Sequence, residues 1–168
     1  GNVRYQEYAH HISVSGGQML RSSLDAIAVA EAMTLILGRT QAATRSRVGL
    51  AKLVEDACAL AQVGPVRMAI PDTFSVVCEP KATLQSVEHL LREAANRAGA
   101  EAAIEVQADG RRLDIRAPIH AASSAECDHK GLAGGLNIVL ARLLLEAQGA
   151  RLAVSCDGHT WRGSVTFP

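Results

Sequence analysis

An excess of charge of either sign is missing from this sequence of 168 residues. Lysine and arginine together number 17, as do aspartate and glutamate, so the formal net charge near neutral pH is zero. A balanced charge provides no general attraction to nucleic acid or to an anionic membrane. We therefore expect no nucleic-acid partner, and any binding must depend on a local arrangement of residues.

Metal-binding cysteine patterns and long apolar runs are missing as well. The cysteines Cys58, Cys78, Cys127 and Cys156 show neither a CxxC nor a CxxH spacing, which argues against a zinc site and against the disulfide framework of a small secreted protein. No apolar run approaches the roughly 20 residues that span a bilayer. The opening GNVRYQEY lacks the apolar segment of a signal peptide. These absences predict a soluble, cytoplasmic fragment with reduced thiols and no membrane contact of its own.

The first segment, from Arg4 to about Leu37, has the pattern of a long amphipathic helix. Apolar residues recur at two positions of a heptad, and further leucines widen the stripe beyond a strict coiled-coil seam. One position holds Tyr5, Ile12, Met19, Ala26 and Met33, and the other holds Tyr8, Ser15, Ser22, Val29 and Ile36. Such a stripe predicts a helical bundle and self-association through this helix, within residues 1–38. Residues 39–47 lack periodicity and are predicted to be a linker.

Residues 48–168 alternate helical patterns with short strand patterns, and their number suits one domain. Helices are predicted over residues 48–62, 81–98 and 136–148. Asp109 and Gly110 predict a turn between the runs AAIEVQA and RRLDIRA, and Asp157 and Gly158 predict another near the end of the chain.

Pro71 and Asp72 predict a turn between the strands Val66–Ile70 and Ser75–Cys78. Helices interleaved with antiparallel hairpins indicate an α+β fold. We expect a two-layer sandwich with one mixed sheet, covered by helices on one face and preceded by a long helix.

Three stretches of this region carry a family resemblance. They read VGLAKLVEDACALA, CEPKATLQSVEHLLREAANRAG and GLAGGLNIVLARLLLEAQGARLAV. In order, they resemble the entry helix, the asparagine box and the second glycine box of the ATP-binding domain of sensor histidine kinases, a Bergerat fold shared with gyrase-type ATPases and chaperones. The first helix resembles the second helix of that family's dimerisation hairpin, which implies a homodimer. The assignment also requires Val66–Ile70 and Ile104–Val106 to share a sheet.

The resemblance implies ATP and magnesium as cofactors, yet the matching positions hold unusual residues. His89 and Glu93 stand where the family has two asparagines one helical turn apart, one of which binds magnesium. A glutamate can ligate magnesium, but it brings a negative charge towards a triphosphate. Ala117 replaces the aspartate that accepts a hydrogen bond from adenine.

The second glycine box is better preserved. Gly131, Gly134 and Gly135 precede a helix N-terminus, where free backbone N–H groups can hold phosphate, although Ala133 replaces the middle glycine of the family pattern. We expect a degenerate site at which ATP and magnesium bind weakly or not at all, with Glu93 as the candidate metal ligand. No catalytic residue is assigned.

Two classes of function compete. The first is the C-terminal part of a histidine kinase-like signalling protein, a pseudokinase or phosphotransfer scaffold that docks the receiver domain of a response regulator. The second is an active, divergent histidine kinase in which Glu93 holds magnesium, and a regulatory module for another small ligand is a third option. His10 and His11 invite a phosphoacceptor interpretation, but the family's acceptor lies on the first hairpin helix and this segment resembles the second.

Overall fold

Four helices and seven strands make up the described part of the chain. The computed structural model describes residues 2–37, 45–99, 102–120 and 135–168. The elements are α1 (Asn2–Leu37), β1 (Ser46–Gly49), α2 (Leu50–Ala61), β2 (Val66–Ala69), β3 (Ser75–Cys78), α3 (Pro80–Ala98), β4 (Ile104–Asp109), β5 (Arg112–Pro118), α4 (Leu136–Glu146), β6 (Arg151–Cys156) and β7 (Thr160–Thr166). No helix among these is long and apolar enough to cross a lipid bilayer.

A five-stranded mixed sheet in the order β2-β4-β5-β7-β6 forms the centre of the fold. Strand β2 runs parallel to β4, with Val66 opposite Ile104, and the other neighbours are antiparallel. The predicted shared sheet is therefore confirmed. Helices α3 and α4 pack on the sheet and on each other, and α2 packs on α3, as the predicted α+β sandwich requires.

The alternation of apolar and polar side chains along the strands decides which face of the sheet is buried. In β5, Leu113, Ile115 and Ala117 are buried, and the residues between them are exposed or half-buried. Together with Leu90 of α3 and Trp161 of β7, these side chains belong to the main hydrophobic core. The β4–β5 hairpin was predicted correctly. Its turn contains Gly110, which has a φ of +56°, a conformation that glycine adopts readily.

The predicted hairpin of residues 66–78 is wrong. Strand β3 does not join β2 but pairs antiparallel with β1 in a separate two-stranded sheet, with Val48 opposite Val76. Ser46 and Arg47, which we expected in the linker, belong to β1. The Pro71–Asp72 turn reverses the chain locally, but each short strand gains more backbone hydrogen bonds from a partner distant in sequence.

A buried polar contact holds the start of α3 against the end of α4. Glu79 caps α3 by accepting hydrogen bonds from the backbone N–H of Lys81 and Ala82. The amide oxygen of Gln148 accepts hydrogen bonds from the N–H of Glu79 and from the hydroxyl of Thr83, both at 3.0 Å. Because these groups are shielded from water, the contact fixes α3 relative to α4.

Among the described residues, helix α1 packs on the domain near its C-terminal end. Ala32 is 2% exposed and packs with Ala82, Leu140 and Leu144. Towards the N-terminus, the heptad residues Tyr5 and Ile12 are 77% and 72% exposed. The first half of the predicted apolar stripe therefore has no cover within the described chain.

Candidate functional site

Helix α3 presents three polar side chains at four-residue intervals on one face. His89, Glu93 and Arg97 have 8%, 5% and 4% of their surfaces exposed. A spacing of four residues stacks side chains on the same side of a helix. All three are thus withdrawn from water, which is uncommon for charged residues unless they are paired.

Glu93 and Arg97 form a buried ion pair. The Nε and Nη2 atoms of Arg97 lie 3.0 and 2.9 Å from the Oε1 atom of Glu93. Removing two such charges from water is costly, and their mutual attraction offsets that cost only while both partners remain. The pair is net neutral, so Arg97 is not an uncommitted cation.

The second carboxylate oxygen of Glu93 faces the start of α4. Gly135 is the N-cap residue of α4, and no side chain of the described residues caps this end. A Cβ atom built on Gly135 would lie 3.9 Å from Oε2 of Glu93. A helix N-terminus attracts negative charge through its unpaired N–H groups and its dipole. The chain's own carboxylate therefore lies beside the position that an external anion would use.

His89, one turn before Glu93 on α3, also contacts the start of α4. Its Nδ1 atom lies 3.2 Å from Oδ1 of Asn137. Burial lowers the pKa of His89 from its ordinary value of 6.5, and the hydrogen bond with Asn137 opposes this only in part. The neutral imidazole is therefore favoured near neutral pH, and the contact ties α3 to the first turn of α4.

A cavity of about 930 Å³ opens between α1 and these elements. Its walls come from the middle of α1, the end of α2, the second half of α3 and the start of α4. Charged side chains from two helices line it: Arg21, Asp25, Arg92, Glu93 and Arg97. A volume of this size is within the range of small-molecule sites.

The structure brings together only some of the predicted site residues. Glu93 and Gly135 line the cavity, and His89 lies behind it through its contact with Asn137. Ala117 is fully buried in the core, opposite Trp161 across the β5–β7 pair. Gly131 and Gly134 lie outside the described residues, as does Cys127.

Two residues of the site were missed at the level of sequence. Arg97 follows Glu93 by four residues, a helical ion-pair spacing that was visible in the sequence. Asn137 gave no such signal, because its partner His89 lies 48 residues away. His10 and His11 are exposed on α1 and do not line the cavity.

The residues present are a poor match to a magnesium site. Within the four described ranges, no group of three or more His, Cys, Asp or Glu side chains could hold a metal ion. Of the two carboxylates that line the cavity, Glu93 shares one oxygen with a guanidinium and Asp25 lies on a different helix, α1. Magnesium requires a near-octahedral set of oxygen ligands.

Solved structures that are similar to this chain include several histidine kinases. The cytoplasmic segment of histidine kinase QseC is 13% identical, covering 86% of this chain and 93% of that one, with a TM-score of 0.62. The nucleotide-free catalytic domain of histidine kinase ThkA is 11% identical over 74% of this chain and 95% of its own, with a TM-score of 0.55.

A histidine kinase from Burkholderia phymatum STM815 is 16% identical over 99% of this chain and 87% of its own, with a TM-score of 0.54. No family model matches the sequence, and no curated protein matches it. The long helix, the mixed sheet and the covering helices therefore place this chain in the fold of the histidine kinase cytoplasmic and catalytic domains.

Proposed function

We propose that the chain is the C-terminal part of a two-component, sensor histidine kinase-like signalling protein whose nucleotide site is degenerate. On this view it acts as a pseudokinase or phosphotransfer scaffold. The proposed division is a dimerisation helix in residues 1–38, a linker in 39–47 and an ATPase-like domain in 48–168. The observation that carries the proposal is the Glu93–Arg97 ion pair beside the N-terminus of α4.

The ion pair opposes binding of a triphosphate. Phosphate oxygens need free N–H groups or uncommitted cations, whereas Glu93 places a carboxylate near the end of α4. A bare carboxylate about 4 Å from a like unit charge would repel it by about 4 kcal/mol at the effective dielectric constant of a protein surface, an upper limit that the paired Arg97 guanidinium lowers. Arg97 cannot compensate without abandoning Glu93 in a buried position. This arrangement favours exclusion of an ATP–magnesium complex.

The residue at the position of the adenine-binding aspartate also argues against ATP binding. Ala117 provides a methyl group that is buried in the core, so it offers no side-chain acceptor for an adenine amino group. A hydrogen bond to a charged group contributes about 1.5–3 kcal/mol. Losses on the phosphate side and the adenine side together favour a scaffold over an active enzyme.

Titration calorimetry with ATP and magnesium tests the degenerate site. We expect no heat of binding up to about 1 mM nucleotide, with circular dichroism showing that the protein is folded. Gly135→Trp, which fills the cavity beside Glu93, and Lys52→Gln on the exposed face of α2 are the paired variants. A low-micromolar dissociation constant that Gly135→Trp abolishes and Lys52→Gln leaves intact would support the active, divergent kinase.

The scaffold role requires a partner, which we propose to be the receiver domain of a response regulator. The chain has 17 basic and 17 acidic residues, so its overall charge gives no reason to prefer nucleic acid as the partner. Titration of an isolated receiver domain against the chain measures this docking. Absence of binding at about millimolar concentration would contradict it.

Self-association through α1 follows from its exposed apolar side chains, which include Tyr5, Ile12 and Met19, the last 74% exposed. Apolar surface of this extent is usually buried in an interface. Sedimentation equilibrium is expected to show dimers that Ile12→Lys with Met19→Lys dissociates, because each lysine would be buried in the interface. The matched variant Gln6→Lys with Gln18→Lys adds the same charge. A wild type that stays monomeric at high concentration would rule the dimer out.

A further inference from the structure

The face of the sheet turned away from the main core carries an ordered row of polar residues. Strand register places one residue of each strand side by side across all five strands. The row consists of Arg67, Glu105, Arg116, Arg162 and Ser155. These residues alternate with the buried ones, so they share one face. Three arginines and one glutamate thus lie in a single line.

Two of the arginines are unfavourably placed for stability. Arg116 and Arg162 are directly opposite each other on the antiparallel strands β5 and β7. Like charges in this position destabilise a sheet. The Nε atom of Arg116 is also buried and has no hydrogen-bond partner within the described residues. A buried donor without a partner is expensive, and Glu105, which lies opposite Arg116 on β4, supplies one negative charge for the two arginines.

One nearby acidic group, Asp114, already has partners. Asp114 accepts hydrogen bonds from Nε of Arg112, at 2.8 Å, and from the hydroxyl of Ser164. Burial alone would raise the pKa of Asp114, but these bonds and the charges of Arg112 and Arg162 lower it. Glu105 lies between Arg67 and Arg116 in the row. The row therefore keeps a net positive charge.

We propose that this face docks an acidic segment of a partner protein, whose carboxylates bind to Arg116 and Arg162. Guanidinium groups match carboxylates in two-point hydrogen bonding, and a carboxylate between Arg116 and Arg162 would relieve the like-charge contact. A nucleic acid or an anionic membrane fits less well. Glu105, Asp109 and Asp114 are interspersed on the same face and would repel a continuous array of phosphates, whereas separate side chains can avoid them.

Fluorescence anisotropy of a fluorescein-labelled hexaglutamate peptide, at about 50 mM salt where charge screening is weak, tests this docking. The proposal expects saturable binding that Arg116→Gln with Arg162→Gln weakens at least about tenfold, a change of about 1.4 kcal/mol. The control variant Arg47→Gln with Lys52→Gln removes the same charge from β1 and α2 and is expected to change binding less than about twofold.

Three outcomes of the binding measurements would overturn the proposal: no binding of the peptide to the wild type, equal weakening by both pairs of substitutions, or tighter binding of phosphatidylglycerol vesicles than of the peptide. Thermal melting shows whether the substitutions destabilise the protein, so that a folding defect is not mistaken for a loss of binding. The arginine variant is expected to melt close to the wild-type temperature, because it removes the repulsion between the two arginines together with the attraction of Arg116 to Glu105 and of Arg162 to Asp114. A clearly lower melting temperature would show that the two arginines stabilise the sheet and would equally overturn the proposal.

Discussion

Replacing Arg97 with methionine is expected to lower the free energy of unfolding by about 3–5 kcal/mol. Methionine keeps most of the side-chain length but leaves Glu93, which is 5% exposed, as an unpaired buried carboxylate. That penalty is a large part of the total stability of an ordinary domain. Urea unfolding followed by circular dichroism measures the loss from the shift of the midpoint at constant slope.

A second variant separates the charge from the packing. Glu93→Leu with Arg97→Met removes both charges, and its stability is expected to return to within about 1.5 kcal/mol of the wild type, since replacing a buried pair with apolar residues is often neutral. Lys52→Met breaks the Lys52–Asp56 pair, which has the same spacing but lies in solvent, and is expected to change stability little. If Arg97→Met and Lys52→Met were equally mild, the Glu93 carboxylate would be hydrated and the argument against triphosphate binding would weaken.

Substituting Gly163 with alanine is expected to destabilise the sheet by about 1–3 kcal/mol. A Cβ atom at Gly163 would lie 2.8 Å from the Cη2 atom of Trp161, two residues away on the same face of β7. Trp161 is fully buried, so its rigid ring cannot move aside without disturbing the core. Thermal or urea unfolding of the variant gives the loss.

The reason for this loss can be tested with a smaller ring at position 161. In a Trp161→Phe background, which lacks the far edge of the indole, Gly163→Ala is expected to cost clearly less, with a coupling of about 0.5–3 kcal/mol between the two sites. Gly49→Ala is the matched control, because nothing lies within 4 Å of a Cβ atom there. Equal losses from Gly163→Ala in the two backgrounds would show that the clash with Trp161 is not the cause.

Periodicity and turn residues were sufficient for the elements that depend on local interactions. Helix α3 and strand β5 were predicted from the spacing of their apolar residues, and both lie within one residue of the predicted bounds. The β4–β5 hairpin was predicted from Asp109 and Gly110, and the register Asp109 to Arg112 confirms it. These features involve neighbours in sequence, so the pattern contains the interaction that forms them.

Strand partners were not predictable in the same way. The Pro71–Asp72 turn suggested a hairpin, but β2 pairs with β4 through Val66 and Ile104, which are 38 positions apart in the chain. A short strand with no strict alternation has little that specifies its neighbour. The choice depends on which arrangement buries the most apolar surface under α2 and α3, and that is a property of the whole fold.

The sequence by itself determined the helices, most strands and the lack of net charge. It also contained the resemblance by which Glu93 was expected in a binding site. Only the tertiary structure decided what the polar residues do there. It buried the Glu93–Arg97 pair, brought Gly135 close to that carboxylate and placed Asn137 against His89. It also aligned Arg116 with Arg162. Burial of the apolar faces sets the register and the helix positions, and the polar side chains then meet whichever partners that packing brings to them.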